Sequence, residues 1–292
     1  MNSRLITIVV SLVTFTAAWG CQNSEKKASS EEYINTLFMP SVEDSIVAHD
    51  DSTEFNANIP IGVNILLSSY PEQIKEYHNG FLIMRDGTKI LYDDGKEKNF
   101  VQKLDEADPQ DMFTMKYNRH APHPDYLEDA GRSRCEQLFK KMYGSSAAEV
   151  RRNLVNVSWF GHNVLFTNVN HAADSLRAVA KELTRYPELK KYLTSSGTFL
   201  WRSVRGAKRM SAHSYGIAFD IGVKYSDYWL WKHPGKGELA KISYANKIPL
   251  KIVEIFEKHG FIWGGRWYHY DTMHFEFRPE ILKANLKLHI IL

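Results

Sequence analysis

Two short segments of the chain carry histidine and carboxylate side chains at spacings that could do chemistry. In the first, His213 and Asp220 are separated by six residues. Apolar residues alternate over 217–223, which predicts a strand with Asp220 on the opposite face between two small residues. A carboxylate with such neighbours has room beside it for a metal ion and its water. Gly216 would let the chain turn so that His213 folds back toward Asp220.

The second segment reads Asp-Thr-Met-His-Phe-Glu-Phe and begins at Asp271. If it forms a strand, His274 and Glu276 share one face and the two phenylalanines enter the core. Asp271 lies three residues before His274, which is near enough to reach a water bound at a metal rather than the metal itself.

Together the segments offer two imidazoles and one carboxylate, from His213, His274 and Asp220. Three nitrogen or oxygen ligands with one open water position are what a catalytic zinc site requires. The chain holds 12 histidines, however, and a histidine on a sheet face is often a hydrogen-bonded structural residue. On spacing alone, a metal site and a pair of structural histidines both stay open.

The two segments resemble a known family. The pattern S-x-H-x-x-G-x-A-x-D from Ser211, followed by D-x-x-H-F from Asp271, is similar to the zinc D-Ala-D-Ala carboxypeptidase family. That family includes VanY-type carboxypeptidases, the vancomycin-resistance D-Ala-D-Ala dipeptidases and phage L-Ala-D-Glu endolysins. The W-G-G-x-W run at 263–267 looks like the family's lead-in to the second segment, and the similar region covers roughly 153–292.

The resemblance implies that His213, Asp220 and His274 bind Zn²⁺ and that Asp271 is the general base. The family's dipeptidases and many of its carboxypeptidases have Glu at the position of the base, whereas the endolysin-like branch has Asp. Asp271 therefore favours the endolysin-like branch, and the identity of the substrate stays open.

The resemblance also implies an arginine that stabilises the oxyanion, on a strand before the first histidine. The matching stretch is 198–205, in which Arg202 is the better match; Arg205 and Arg209 are competitors. Ordinary surface charge is the alternative interpretation for each of the three.

Substrate contacts are predicted for Ser211, Tyr215 and Trp267. The aromatic residues near the motif could line a groove, and packing in the core is the equally weighted alternative for them. These aromatic residues are Tyr215, Trp263, Trp267 and Tyr270.

Strands and helices are predicted without regular alternation, which favours an α+β fold. We expect a small central antiparallel sheet flanked by helices, with the zinc site on the sheet face. Strands are predicted at 63–68, at 81–84 and 89–92 around an Asp-Gly turn, and at 163–169. Helices are predicted to begin at Ser146, Asn170 and Pro249.

The N-terminus has the pattern of an export signal. Arg4 precedes an apolar run over 5–18, which is too short for an ordinary membrane-spanning helix of ~20 residues. The stretch before Cys21 resembles a bacterial lipobox, which implies cleavage there and a lipid anchor on Cys21. The other cysteine, Cys135, lies on an apolar helix face and is predicted to be a core thiol.

The chain is therefore expected to divide into four parts: a lipoprotein signal peptide at 1–20, a polar tether at 21–58, an N-terminal elaboration at 59–152 and a zinc peptidase domain at 153–292. An exported bacterial lipoprotein would be a membrane-anchored monomer in the periplasm or on the outer face. A net charge of +3, from 37 basic and 34 acidic residues, is too small to favour nucleic acid as a partner.

The sequence thus predicts a zinc peptidase that cleaves peptidoglycan stem peptides, either as a D-Ala-D-Ala carboxypeptidase or as an L-Ala-D-Glu type endopeptidase. The leading alternative is a non-catalytic lipoprotein that binds the cell wall and has kept the fold. A metal-dependent hydrolase or binding protein for another exported ligand is the second alternative.

Overall fold

The computed structural model describes residues 55–291. The predicted signal peptide, the predicted lipid anchor at Cys21 and most of the predicted tether lie outside the described residues, so these remain predictions. Within 55–291, no helix is both long enough and apolar enough to cross a bilayer.

The described chain combines eight α-helices with eight short strands, and several single 3₁₀ turns connect them. The helices are α1 Ile61–Ser69, α2 Phe100–Asp105, α3 Glu136–Tyr143, α4 Ala147–Arg152, α5 Ala172–Leu183, α6 Trp229–Lys232, α7 Leu250–Lys258 and α8 Pro279–Ile291. The strands are β1 Ile74–His78, β2 Phe81–Met84, β3 Lys89–Leu91, β4 Leu154–Trp159, β5 His162–Thr167, β6 Ala218–Asp220, β7 Phe261–Trp263 and β8 His274–Phe277.

The strands form three small antiparallel sheets, ordered β1-β2-β3, β4-β5 and β6-β8-β7. This confirms the predicted α+β class. Helices α5 and α7 pack on the strands of the second and third sheets, and α8 packs on α1.

The third sheet has β8 in its centre, between β6 and β7. Its core face is aromatic: Phe275 is fully buried and stacks on Phe256 of α7, with ring centroids 3.9 Å apart. Phe219 of β6 packs on Trp159 at 4.4 Å. The predicted burial of Phe275 and Phe277 is confirmed, since they are 0% and 4% exposed.

Residues of the predicted N-terminal elaboration enter the same core as those of the predicted peptidase domain. Leu66 of α1 and Leu138 of α3 belong to one buried apolar cluster with Phe275. Buried polar contacts also cross the predicted boundary, for example from the Tyr70 hydroxyl to Glu280 at 2.5 Å. The boundary itself stays a prediction, and the shared core means that the two segments stabilise each other.

Four of the predicted features are confirmed in outline. The turn at Asp86-Gly87 joins β2 to β3, and β5 occupies most of the predicted strand at 163–169. Helix α4 begins after Ser146, whose hydroxyl accepts a hydrogen bond from the Glu149 amide. Helix α7 begins after Pro249 and ends before Gly260, which has a φ of +89°.

The predicted strand at 63–68 is wrong, because these residues lie in helix α1. This run holds four apolar residues beside Asn64 and Ser68, and a run so short has no period that separates a buried strand from a buried helix. Pro60 directly before the helix is the local signal for a helix start. Val63 and Leu66, three residues apart, are both fully buried, as expected for one helix face.

Two further predictions at element ends are corrected. Asn170 does not cap α5; it has a φ of 53°, and its side-chain amide donates to the Ser69 carbonyl at 2.8 Å. The strand predicted at 217–223 is limited to β6, because the chain leaves the sheet after Asp220 and Val223 is 45% exposed.

Candidate active site

Strand pairing sets the geometry between the two motif segments. In the register of β6 and β8, Asp220 is directly opposite His274 and Ala218 is opposite Glu276. Asp220 Oδ1 lies 2.9 Å from His274 Nδ1. The hydrogen-bonded register therefore places one carboxylate and one imidazole side by side.

A turn brings the other histidine to the same carboxylate. His213 lies in a 3₁₀ turn, Ala212–Tyr215, which ends at Gly216 with a φ of 68°. A side chain at Gly216 would place its Cβ 2.5 Å from Leu154 Cδ2, so both the conformation and the space require glycine. The turn carries His213 Nε2 to 3.2 Å from Asp220 Oδ2, as the sequence predicts.

The second nitrogen of each imidazole is held by its own acceptor. His213 Nδ1 donates to the Thr198 carbonyl at 2.5 Å, and His274 Nε2 donates to Glu276 Oε1 at 3.0 Å. Each ring is therefore oriented with its remaining nitrogen toward Asp220. Such a partner for the distant nitrogen is what metal-binding histidines almost always have.

The resulting set of donor atoms fits a metal ion. One ligand atom each from His213, Asp220 and His274 lies within 4.8 Å of the other two. Two imidazole nitrogens and one carboxylate oxygen match the preference of catalytic zinc sites. Metal binding by these residues, and a zinc site on the sheet face, stay predictions.

The charges at this cluster depend strongly on one another. Burial by itself would raise the pKa of Asp220, but the adjacent His213 and His274 outweigh burial and hold that pKa below its ordinary value. Burial would lower the pKa of His274, yet its hydrogen bonds to Asp220 and Glu276 raise it to about 10. The carboxylates of Asp220 and Glu276 thus favour a positive charge at the His274 ring, which lies between them.

Asp271 lies at the turn before β8. Its amide donates to the Gly264 carbonyl at 3.0 Å, and its backbone forms an isolated bridge with Tyr228. Among the described residues, its buried Oδ1 has no hydrogen-bond partner. Burial raises the pKa of the carboxyl to about 7, and the negative charge of Asp220 adds to this effect against His274 and His213. A carboxyl with this pKa can accept and return a proton near neutral pH.

The Gly-Gly turn in the 263–267 stretch allows the close approach of Asp271. A Cβ on Gly264 would lie 2.6 Å from the Asp271 carbonyl oxygen and 3.1 Å from the Trp267 ring. The absence of a side chain at Gly264 therefore permits the turn that carries the carboxylate.

The structure adds three charged residues that sequence reasoning did not assign to the site. Glu276 is 1% exposed; its Oε1 accepts from Arg134 at 3.1 Å and its Oε2 from Arg278 at 3.2 Å. Burial would raise the pKa of Glu276, but Arg134, His274 and Arg278 bring it down to about 2. Strand alternation had placed Glu276 on the face of His274 without a role. Arg134 has no local signal, because it lies 142 residues from Glu276.

The arginine predicted for the oxyanion is not on a strand. Within the described chain, residues 198–205 form a loop, because their one bridge, from Ser203 to Met210, does not extend into a ladder of hydrogen bonds. Arg202 is exposed, and its Nη1 makes a 3.4 Å hydrogen bond to the next carbonyl. Arg205 is exposed as well, whereas Arg209 is paired with Asp105 and Glu238.

Tyr228 lies beside Asp271, with which its backbone forms a bridge. Burial raises the pKa of Tyr228 to about 12, with a further contribution from the negative charge of Asp271 and an opposing one from Arg202.

The three predicted substrate contacts have different surroundings. Ser211 is buried, and its amide donates to the Arg202 carbonyl at 3.0 Å. Tyr215 is 1% exposed and packs on Phe139 at 5.5 Å, which is the core alternative. The Trp267 ring lies 5.5 Å from that of His274, and its Nε1 donates to the Ala130 carbonyl. Contact of these residues with substrate stays a prediction.

Comparison with known proteins gives one match. Residues 205–277 match the model of a family described as D-alanyl-D-alanine carboxypeptidase. The matched range contains both motif segments and ends within β8, while Arg202 and Arg134 lie outside it. No curated protein and no solved structure matches the chain.

Proposed function

Because residues 205–277 match the model of the D-alanyl-D-alanine carboxypeptidase family, we propose that the protein is a zinc-dependent peptidase acting on peptidoglycan stem peptides. One observation carries the proposal. Two imidazoles and a carboxylate converge within 4.8 Å, and the distant nitrogen of each imidazole already has a fixed acceptor.

His213 Nε2, Asp220 and His274 Nδ1 would hold the ion. Bound there, Zn²⁺ supplies Lewis-acid chemistry, in that it polarises the scissile carbonyl and lowers the pKa of a water. The two acceptors behind the rings, the Thr198 carbonyl and Glu276, keep the ligand nitrogens directed at the ion.

Asp271 would move the proton. Its Oδ1 is buried and has no partner within the described chain, so it is available to accept a proton from the attacking water. The same oxygen can then donate that proton to the leaving amine.

Arg202 is our choice for the group that faces the developing oxyanion. Arg209 is committed to ion pairs with Asp105 and Glu238, whereas Arg202 makes no ion pair within 55–291. An exposed guanidinium beside the predicted site is free to turn toward a bound peptide.

The cellular location of the protein is also part of the proposal. The lipobox-like stretch before Cys21 supports export and a lipid anchor, which would bring the site to the peptidoglycan as a membrane-anchored monomer. The Asp at position 271 supports an endopeptidase of the L-Ala-D-Glu type, and the matched family's description supports a D-Ala-D-Ala carboxypeptidase.

A digest of defined muropeptides tests the proposal. The chain without its first twenty residues is purified, its zinc content is measured, and products formed with and without chelator are identified by mass spectrometry. Release of D-Ala indicates a carboxypeptidase, and cleavage after L-Ala indicates an endopeptidase. His213→Ala and Asp271→Ala should each abolish the product.

Two outcomes would contradict the assignment. Cleavage that survives His213→Ala, or a wild-type protein without stoichiometric metal, removes the metal-dependent mechanism. Retention on purified sacculi without any new product would instead support the non-catalytic wall-binding alternative.

A further inference from the structure

Glu276 lies at the junction between the predicted metal cluster and two arginines. Oε1 accepts from both His274 Nε2 and Arg134 Nη1, and Oε2 accepts from Arg278 Nη1. Both carboxylate oxygens are therefore engaged, and the group has little freedom to rotate. The orientation of the Glu276 carboxylate sets the position of the oxygen that accepts the hydrogen bond from His274 Nε2.

Arg134 is held independently of Glu276. Its Nη1 donates to the Gly131 carbonyl at 3.0 Å and its Nη2 to the Met210 carbonyl at 3.3 Å. Its side chain is 9% exposed. Because backbone carbonyls fix the guanidinium, Arg134 can impose a position on Glu276 rather than follow it.

Arg278 completes the arrangement from the other side. Its Nη1 also donates to the Gly131 carbonyl, at 2.8 Å, and its Nε donates to Glu280 at 2.5 Å. The chain of contacts then continues to Tyr70 of the N-terminal segment. The groups that orient Glu276 thus come from outside the matched range 205–277.

We propose that Arg134 is a positioning residue for metal binding: by fixing the carboxylate of Glu276, it orients the His274 ring so that Nδ1 faces Asp220. This inference rests on the proposed function, because it assumes that His274 is a metal ligand. The acceptor of one imidazole nitrogen sets which nitrogen keeps its lone pair for a metal. The segment before residue 153 would then complete the metal site.

The competing interpretation is that Arg134 and Glu276 are only a buried ion pair that stabilises the fold. A second buried carboxylate offers a matched control. Glu257 is also contacted by two arginines and a ring-bearing residue, namely Arg119 at 3.1 Å, Arg266 at 2.9 Å and Tyr117 at 2.6 Å. Arg119→Met therefore removes a comparable interaction without touching His274.

The affinity of the chain for Zn²⁺ is measured by competition with a chromogenic chelator, for wild type, Arg134→Met and Arg119→Met. We expect Arg134→Met to weaken zinc binding by about 10–100-fold, as is typical when the partner of a ligand histidine is disturbed. Arg119→Met should leave the zinc affinity unchanged, and the thermal midpoints of the metal-free proteins report any shared loss of stability.

The Co²⁺-substituted proteins give a readout that fold stability alone does not move. The visible absorption of bound Co²⁺ depends on ligand identity and geometry. Its bands should shift in Arg134→Met and in Glu276→Gln, and should stay as in wild type in Arg119→Met. Arg134→Lys, which keeps the charge near Glu276, should recover part of the zinc affinity.

Arg134→Met leaves a buried carboxylate with one arginine fewer, so it could fold poorly. The Glu276→Gln background removes that charge. If Arg134 acts through Glu276, then Arg134→Met in this background should add no further loss of zinc affinity. A full additional loss would overturn the proposal.

The result separates this inference from the proposed function. If wild type binds no zinc, the proposed function fails first. If wild type binds zinc and Arg134→Met binds it with the same affinity and the same Co²⁺ spectrum, only the role of Arg134 fails.

Discussion

Asp220 and His274 are directly opposite each other on neighbouring antiparallel strands, with 2.9 Å between Oδ1 and Nδ1. Two segments that are 54 residues apart in the chain therefore meet through strand register rather than through flexible side chains. A slip of one residue would send His274 to the opposite face, into the aromatic core.

The turn at Gly216 should be sensitive to the smallest added side chain. Gly216→Ala combines a left-handed φ of 68° with a Cβ 2.5 Å from Leu154, so we expect a loss of stability of at least ~1–2 kcal/mol and weaker zinc binding through displacement of His213. Chemical denaturation and zinc titration measure both effects.

Gly95→Ala is the matched control for that change. Gly95 has a similar φ of +70°, but no atom lies within 4 Å of its added Cβ. Gly95→Ala should lower the free energy of unfolding through backbone strain alone and leave the zinc affinity unchanged. Equal zinc affinity in the two variants would contradict the role of the turn.

Asp271→Asn should separate proton transfer from metal binding. We expect kcat/KM for a muropeptide to fall by about 10²–10⁴-fold, the usual contribution of a general base, while zinc content stays at the wild-type level. Asp271→Glu keeps a carboxylate, as in the family's dipeptidases, and should retain part of the activity. Loss of zinc in the Asn variant would instead place Asp271 among the ligands.

The same substitution should change the pH dependence of stability in the metal-free protein. Burial raises the pKa of Asp271 from 3.8 to about 7, so the folded state favours the protonated carboxyl. That contribution is fully present below pH 3.8 and is lost as the pH rises through about 7. The thermal midpoint of Asp271→Asn relative to wild type should therefore rise between pH 5 and pH 8. A difference that falls over this range would contradict the burial of an ionisable Asp271.

Cys135 should be inert in the folded protein. It precedes α3, is 4% exposed, and burial raises the pKa of its thiol to about 11. With Cys21 removed, a thiol reagent at pH 8 should label none of the folded chain and all of the denatured chain. Rapid labelling of folded protein would show that the thiol is accessible, against its predicted place in the core.

The sequence predicted the centre of the site better than its surroundings. His213, Asp220 and His274 are each positioned by local features, namely a glycine turn and two alternating strands. Such local features can be predicted from the sequence. The hydrogen-bond acceptors of the two histidine rings, and the groups that hold those acceptors, cannot be predicted from local sequence. Thr198 is a loop residue whose backbone carbonyl accepts the hydrogen bond from His213, and Arg134 contacts Glu276 only because the tertiary fold brings them together.

The errors in the fold have the same cause. The run at 63–68 is short and mostly apolar, with Asn64 and Ser68 as its polar residues, so its helical state depends on packing against other elements rather than on a clear period. The loop at 198–205 has residues that a strand would accept, but no neighbouring strand offers it a full ladder of hydrogen bonds. In both places the deciding interactions are distant in the sequence.

The contact between Arg134 and Glu276 also determines when, during synthesis of the chain, the proposed metal site can form. Arg134 leaves the ribosome 142 residues before Glu276, and Asp220 leaves it 54 residues before His274. Until β8 emerges, the nascent chain can hold neither the complete donor set nor the carboxylate that orients it. The proposed metal site would therefore be complete only after β8 has been made, and a chain that ends before β8 would lack it.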